Sequence, residues 1–86
     1  MRIRLEIKGA RFSTDALSST SGTVTVAVTN HDLFWHTFTI GELGVDLRVP
    51  VGDEKNVTFT AAPGMYIYIC AVPGHASFMR GVLTVR

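Results

Sequence analysis

The chain has 86 residues, of which 47% are apolar and 17% charged, with a formal net charge of +1. Such a length supports one hydrophobic core, read here as a single domain over residues 1–86, and the scattered basic residues exclude a phosphate-tracking nucleic-acid surface. No apolar run approaches the roughly 18 residues of a membrane span. The start Met1-Arg2-Ile3-Arg4 is basic, but Glu6 and Lys8 interrupt any apolar run behind it, so no secretion signal is read. Either the chain serves in the cytosol as it stands, or an export segment has been removed ahead of Met1.

Arg2 to Lys8 alternates charged and apolar residues, which predicts a strand with Ile3, Leu5 and Ile7 on its buried face. Arg11 to Ser21 is rich in Ser, Thr and Asp, with Phe12 and Leu17 as anchors, and reads as an irregular connection with room for one short strand. Gly22 to Thr29 alternates again, with Val24, Val26 and Val28 inward and Thr23, Thr25, Ala27 and Thr29 outward. Asn30-His31-Asp32 is turn chemistry, because short polar side chains bond back to nearby amides. Further strands follow at His36–Ile40, Val45–Val49, Val57–Thr60, Met65–Cys70 and Gly81–Arg86, with turns at Gly41 to Gly44, Gly52-Asp53-Glu54 and Pro63-Gly64. Met65 is expected to pack, and Tyr66 and Tyr68 to alternate with Ile67 and Ile69 in ordinary sheet fashion. No segment carries a helical period, so the expected fold is all-β: a two-sheet Greek-key sandwich of about seven strands.

The chemistry concentrates behind the strand that ends at Cys70. Cys70 is the only cysteine, so it has no intramolecular disulfide partner. His75 follows after Pro73-Gly74, and Met79 four residues later. A thiol, an imidazole and a thioether on one tight loop suit a soft, redox-active metal, whereas magnesium and calcium favour oxygen cages. A second imidazole would complete two His, one Cys and a weak axial Met, the ligand set of electron-transfer copper. Of the remaining histidines, His31 lies in a polar turn, where an exposed ring needs no explanation. His36 opens a strand, where a sandwich brings strand ends and loops to a common pole. Taken singly these residues are unremarkable: a buried Cys is usually a small hydrophobe and a Met usually fills core. Their joint spacing is what points to metal.

With Asn30, His36, Phe38, Tyr66-x-Tyr68-x-Cys70, Pro73-Gly74-His75, Met79 and Gly81, the chain from about Gly22 to Arg86 resembles the cupredoxins, small type 1 blue copper proteins. Its Cys70-x4-His75-x3-Met79 spacing is similar to the ligand loop of azurins and auracyanins. The resemblance implies one copper ion, cycling between Cu(I) and Cu(II), with His36, Cys70 and His75 as equatorial ligands and Met79 as the axial one. It also implies a monomeric, extracytoplasmic electron carrier that is not an enzyme and that docks redox partner proteins transiently. Thr37 stands where many relatives have Asn, and Trp35 where azurins have Gly. Thr37 and the amide of Val72 are expected to support the Cys70 sulfur. His75, Val72, Pro73, Phe78 and Phe34 are expected to form an apolar docking surface with His75 as the electron port.

Two other classes fit the same residues. One is a copper domain belonging to a larger oxidase or reductase. The other is a sandwich that binds copper or zinc as a chaperone, or binds no metal, without an electron-transfer role.

Overall fold

The computed structural model describes residues 1–72, 74–75 and 78–86. Among the described residues there are eight strands: β1 (Arg2–Ile7), β2 (Ala16–Ser19), β3 (Gly22–Asn30), β4 (His36–Ile40), β5 (Val45–Val49), β6 (Glu54–Ala61), β7 (Gly64–Ile69) and β8 (Arg80–Val85). They form a three-stranded sheet in the order β1-β3-β6 and a five-stranded sheet in the order β2-β8-β7-β4-β5. The chain passes repeatedly between the two sheets, as a Greek-key sandwich requires. No helix among the described residues is long and apolar enough to cross a membrane.

The eighth strand, β2, is the short one for which the Arg11–Ser21 connection left room; it adds in parallel to the edge of β8 through Ala16↔Val82 to Ser19↔Val85. Its sequence carries a single large apolar residue, Leu17, and that residue is buried. Strand β6 is longer than alternation suggested because it runs antiparallel beside β3 from Thr29↔Glu54 to Gly22↔Ala61.

Leu5, Ile7, Val24, Val26 and Val28 from the smaller sheet meet Phe38, Ile40, Tyr68 and Leu83 from the larger, all without exposure to solvent. Burial of each such side chain contributes about 1.5–3 kcal/mol. Ala27 is buried although it lies on the outer face of β3, where it is flanked by the longer residues Arg4 and Asn56. Met65 is exposed rather than packed, because Tyr66 and Tyr68 take the inward positions of β7 and alternation sends Met65 outward.

Phe12, ahead of β2, sets its ring edge-on to Phe38 and Tyr68, with centroids 6.3 and 5.3 Å apart. The Tyr68 hydroxyl donates to the Thr14 carbonyl at 2.8 Å, which satisfies its polar tip inside the core. Burial, with the nearby Asp15 charge, pushes its pKa up to about 12. Gly81 runs so close beneath this ring and the Asp15 carbonyl that a Cβ there has no room.

Candidate metal centre

Strands β4 and β7 are antiparallel neighbours, joined at Thr39↔Ile69. Following that register toward the pole sets Thr37 beside Ala71 and brings His36, at the start of β4, level with the loop that leaves β7. Cys70 is the first residue of that loop and is fully buried. Its amide donates to the Met79 carbonyl at 3.0 Å, while the amides of Phe78 and Met79 donate to the His75 carbonyl at 3.1 and 2.8 Å. The His75 amide in turn donates to the Val72 carbonyl at 2.9 Å. Gly74, at φ 84°, makes a bend that L side chains resist.

The loop closes on itself, and its donors face β4. The Cys70 Sγ lies 3.7 Å from His36 Nδ1 and 3.8 Å from His75 Nδ1. All three donor atoms lie within 4.8 Å of one another. Donors held about 2.0–2.3 Å from one ion in a trigonal array sit roughly 3.5–3.9 Å apart, so the spacing fits a single ion. Two imidazoles and a thiol select a soft, nitrogen- and sulfur-preferring metal such as copper. Met79 is buried without exposure on the same loop. His31 is elsewhere, its Nε2 2.7 Å from Glu6 Oε1 on the surface.

Thr37 supports the site in two ways. Its backbone amide donates to the Cys70 sulfur at 3.4 Å. Its hydroxyl accepts the Ala71 amide at 2.7 Å and lies 3.0 Å from the Thr39 hydroxyl, which donates to Asp46 at 3.0 Å. The hydroxyl thus joins β4 to the Cys70 loop. The Val72 amide was expected at the sulfur. Among the described residues the amide that reaches it is Thr37's, because the register places Thr37 alongside while Val72 already lies in the bend.

Asp32, read from sequence as a turn residue, reaches into the site. Its Oδ2 lies 2.8 Å from His36 Nε2. An ionised carboxylate only accepts, so Nε2 is the donor in this pair, and Nδ1 is the nitrogen that faces the sulfur. Burial would raise the Asp32 pKa, but hydrogen bonds from the Ala10 amide, the His36 ring and the Gly9 amide more than offset it, so the carboxyl lies below the usual range. Asn30, which is buried, holds the turn: its Nδ2 donates to the Phe34 and Val49 carbonyls at 2.7 and 3.1 Å, and its Oδ1 accepts the Asp32 amide at 2.8 Å. The sequence signal for this arrangement was the carboxylate four residues before a strand-edge histidine.

At the surface, His75 is half-buried and flanked by the exposed rings of Phe34 and Phe78, with centroids 5.9 and 5.5 Å away. Leu33, next to Phe34 in sequence, is also exposed. Val72 does not belong to the surface: it is 7% exposed and packs with the core, because the loop turns its side chain inward. Pro73, expected in the same patch, lies outside the described residues. Trp35 packs beside β5, with the Arg48 guanidinium 4.3 Å over its ring.

The family description that matches this chain is a cupredoxin-like domain, over residues 1–85. The chain belongs to the cupredoxin-like family. Among solved structures, this cupredoxin is similar to auracyanin A, a "blue" copper protein from the green thermophilic photosynthetic bacterium Chloroflexus aurantiacus, with a TM-score of 0.79 and 26% identity over 100% of this chain and 98% of that one. It is also similar to a P52G amicyanin in its reduced Cu(I) form, with a TM-score of 0.76 and 28% identity over 98% of this chain and 81% of that one. In sequence, 37 residues, 41% of this chain, are 63% identical to Auracyanin-A of Chloroflexus aurantiacus. A stretch of 36 residues is 56% identical to Auracyanin-B of the same organism. These stretches span 23% and 15% of the two curated relatives.

Proposed function

We propose that this cupredoxin, read as one domain over residues 1–86, is a single-electron carrier. His36, Cys70, His75 and Met79 would hold one copper ion. A copper ion so held supplies a one-electron Cu(II)/Cu(I) couple. The observation that supports this reading is the convergence of three soft donors at the spacing of one ion, with one of them opening onto an apolar surface. His36, which opens β4, and Cys70, which directly follows β7, are both buried, so the protein fixes these donor positions before any metal arrives. That rigidity limits rearrangement between oxidation states. Thr37's amide on the sulfur draws off some of its negative charge, which favours the reduced state. Four side-chain donors leave no open position for a substrate, which argues for a carrier rather than an enzyme.

His75 is the ligand nearest solvent and would be the contact through which a docked partner exchanges an electron. Phe34 and Phe78 surround it with the kind of exposed apolar patch that marks transient association. The proposed setting is extracytoplasmic, with redox proteins as partners and the chain itself monomeric. One observation favours a second reading, that of a copper-binding module within a longer polypeptide: the curated relatives extend well beyond the stretch that matches.

The deciding experiment titrates the metal-free protein with Cu(II) while visible absorption and electron paramagnetic resonance are recorded, for wild type and Cys70→Ser. One equivalent should give intense thiolate-to-copper charge transfer with compressed copper hyperfine splitting, both absent from Cys70→Ser. A colourless wild type, or equal copper binding without the thiol, would return Cys70 to the role of a core residue.

A further inference from the structure

We propose that Asp32 is the positioning residue of the metal centre: it fixes the His36 ring with Nδ1 toward Cys70, and is itself held by the turn that follows β1. The proposal rests on reading His36 as a ligand. His36 is 1% exposed, and its two ring nitrogens have different partners, Asp32 Oδ2 at 2.8 Å and Cys70 Sγ at 3.7 Å. A ring free to flip or to change tautomer would at times present a protonated nitrogen to the site. The carboxylate removes that choice, since it offers only lone pairs to Nε2.

Asp32 is held by donors distant in sequence. The Gly9 amide donates to Oδ1 at 2.6 Å and the Ala10 amide to Oδ2 at 2.8 Å. Both residues adopt left-handed backbone, at φ 63° and 55°, and Ala10 is the one non-glycine among the described residues to do so. Left-handed backbone at a residue with a Cβ is unfavourable and persists where its surroundings require it. Here it aims two successive amides at a single carboxylate. Lys8 and Arg11 close the turn by exchanging backbone hydrogen bonds at 3.0 and 3.2 Å. A path of hydrogen bonds therefore runs from the turn after β1 through Asp32 to a ligand ring. An ordinary turn cap would need neither the buried imidazole nor the second carboxylate oxygen.

The charge matters as well as the geometry. A carboxylate hydrogen-bonded to a ligand imidazole raises that ligand's basicity and favours the more highly charged oxidised metal. Loss of Asp32 should therefore raise the reduction potential.

The test begins with long-range nitrogen–proton correlation on the metal-free wild type, in which His36 should show a protonated Nε2 and a bare Nδ1. Asp32→Ala should turn this into a tautomer mixture, lower Cu(II) affinity by roughly 10–100-fold and raise the potential. Asp32→Asn keeps an acceptor for Nε2 and should recover most of the affinity while its potential stays raised. A wild-type His36 protonated on Nδ1, or an Asp32→Ala protein with the wild-type tautomer, affinity and potential, overturns the proposal. The tautomer is read without metal. If wild type binds no copper, it is the ligand reading that fails, and the His36 signals still decide the role of Asp32.

Discussion

Thr37→Val isolates the hydroxyl that ties β4 to the ligand loop. Valine keeps the shape of the side chain, which is 6% exposed, so little packing changes. Two hydrogen bonds disappear. The bond from the Ala71 amide, at 2.7 Å, is worth about 0.5–1.5 kcal/mol net. Ala71 is exposed, so water reaches its freed amide and the full penalty of a buried orphan is avoided. The bond with the Thr39 hydroxyl adds little, because Thr39 retains Asp46 at 3.0 Å. The expected loss is about 1 kcal/mol, or roughly 4–8 °C in Tm for a domain of this size. Thermal and urea unfolding of the metal-free protein measure it, and amide hydrogen exchange localises it, with Ala71 exchanging faster in Thr37→Val than in wild type. Thr37→Ser restores the hydroxyl and should recover most of the loss. Unchanged Tm together with unchanged protection of Ala71 would show that the hydroxyl does not hold the loop.

Tyr68 should give the protein an alkaline limit. Its pKa is raised from 10.0 to about 12, so the unfolded state loses its proton first and stability is complete below pH 10, then falls by about 2–3 kcal/mol toward pH 12; Tyr68→Phe should flatten this part of a stability-versus-pH curve. Gly81→Ala drives a methyl into the Tyr68 ring and the Asp15 backbone and should destabilise by about 1–3 kcal/mol as overpacking, with an unchanged urea midpoint counting against the tight approach. Phe34→Asp and Phe78→Asp place charge beside His75 and should slow electron self-exchange between copies of the copper-loaded protein by roughly tenfold, as loss of an interface anchor does, with the visible band intact; wild-type exchange in both would remove the patch from the docking surface.

What the sequence disclosed depended on whether the signal was local. Alternation marked β1, β3 and β4 because each buries one face. The Cys70, His75 and Met79 spacing was readable because one loop carries all three, and His36 because it opens a strand at the right pole. The pairing of β2 with β8 left no local mark: Ala16–Ser19 has one large apolar side chain and a partner more than sixty residues away in sequence. Val72 was misplaced for a related reason, since the direction of an amide or side chain in a bend depends on torsions that composition does not encode. Asp32 was the largest omission. Beside Asn30 it looked like ordinary turn chemistry, and its partners Gly9 and Ala10 lie 23 and 22 residues earlier.

The order β2-β8-β7-β4-β5 has a consequence for biosynthesis. A ribosome delivers four of these strands before the one that belongs between β2 and β7. Until Arg80–Val85 emerges, β2 has no strand to pair with, and β7 lacks the neighbour it meets along its whole length from Gly64↔Val85 to Ile69↔Arg80. The Met79 carbonyl that receives the Cys70 amide is made only just before that strand. The nascent Cys70 amide therefore waits for Met79, and its strand for Arg80–Val85, before either is held as in the folded chain.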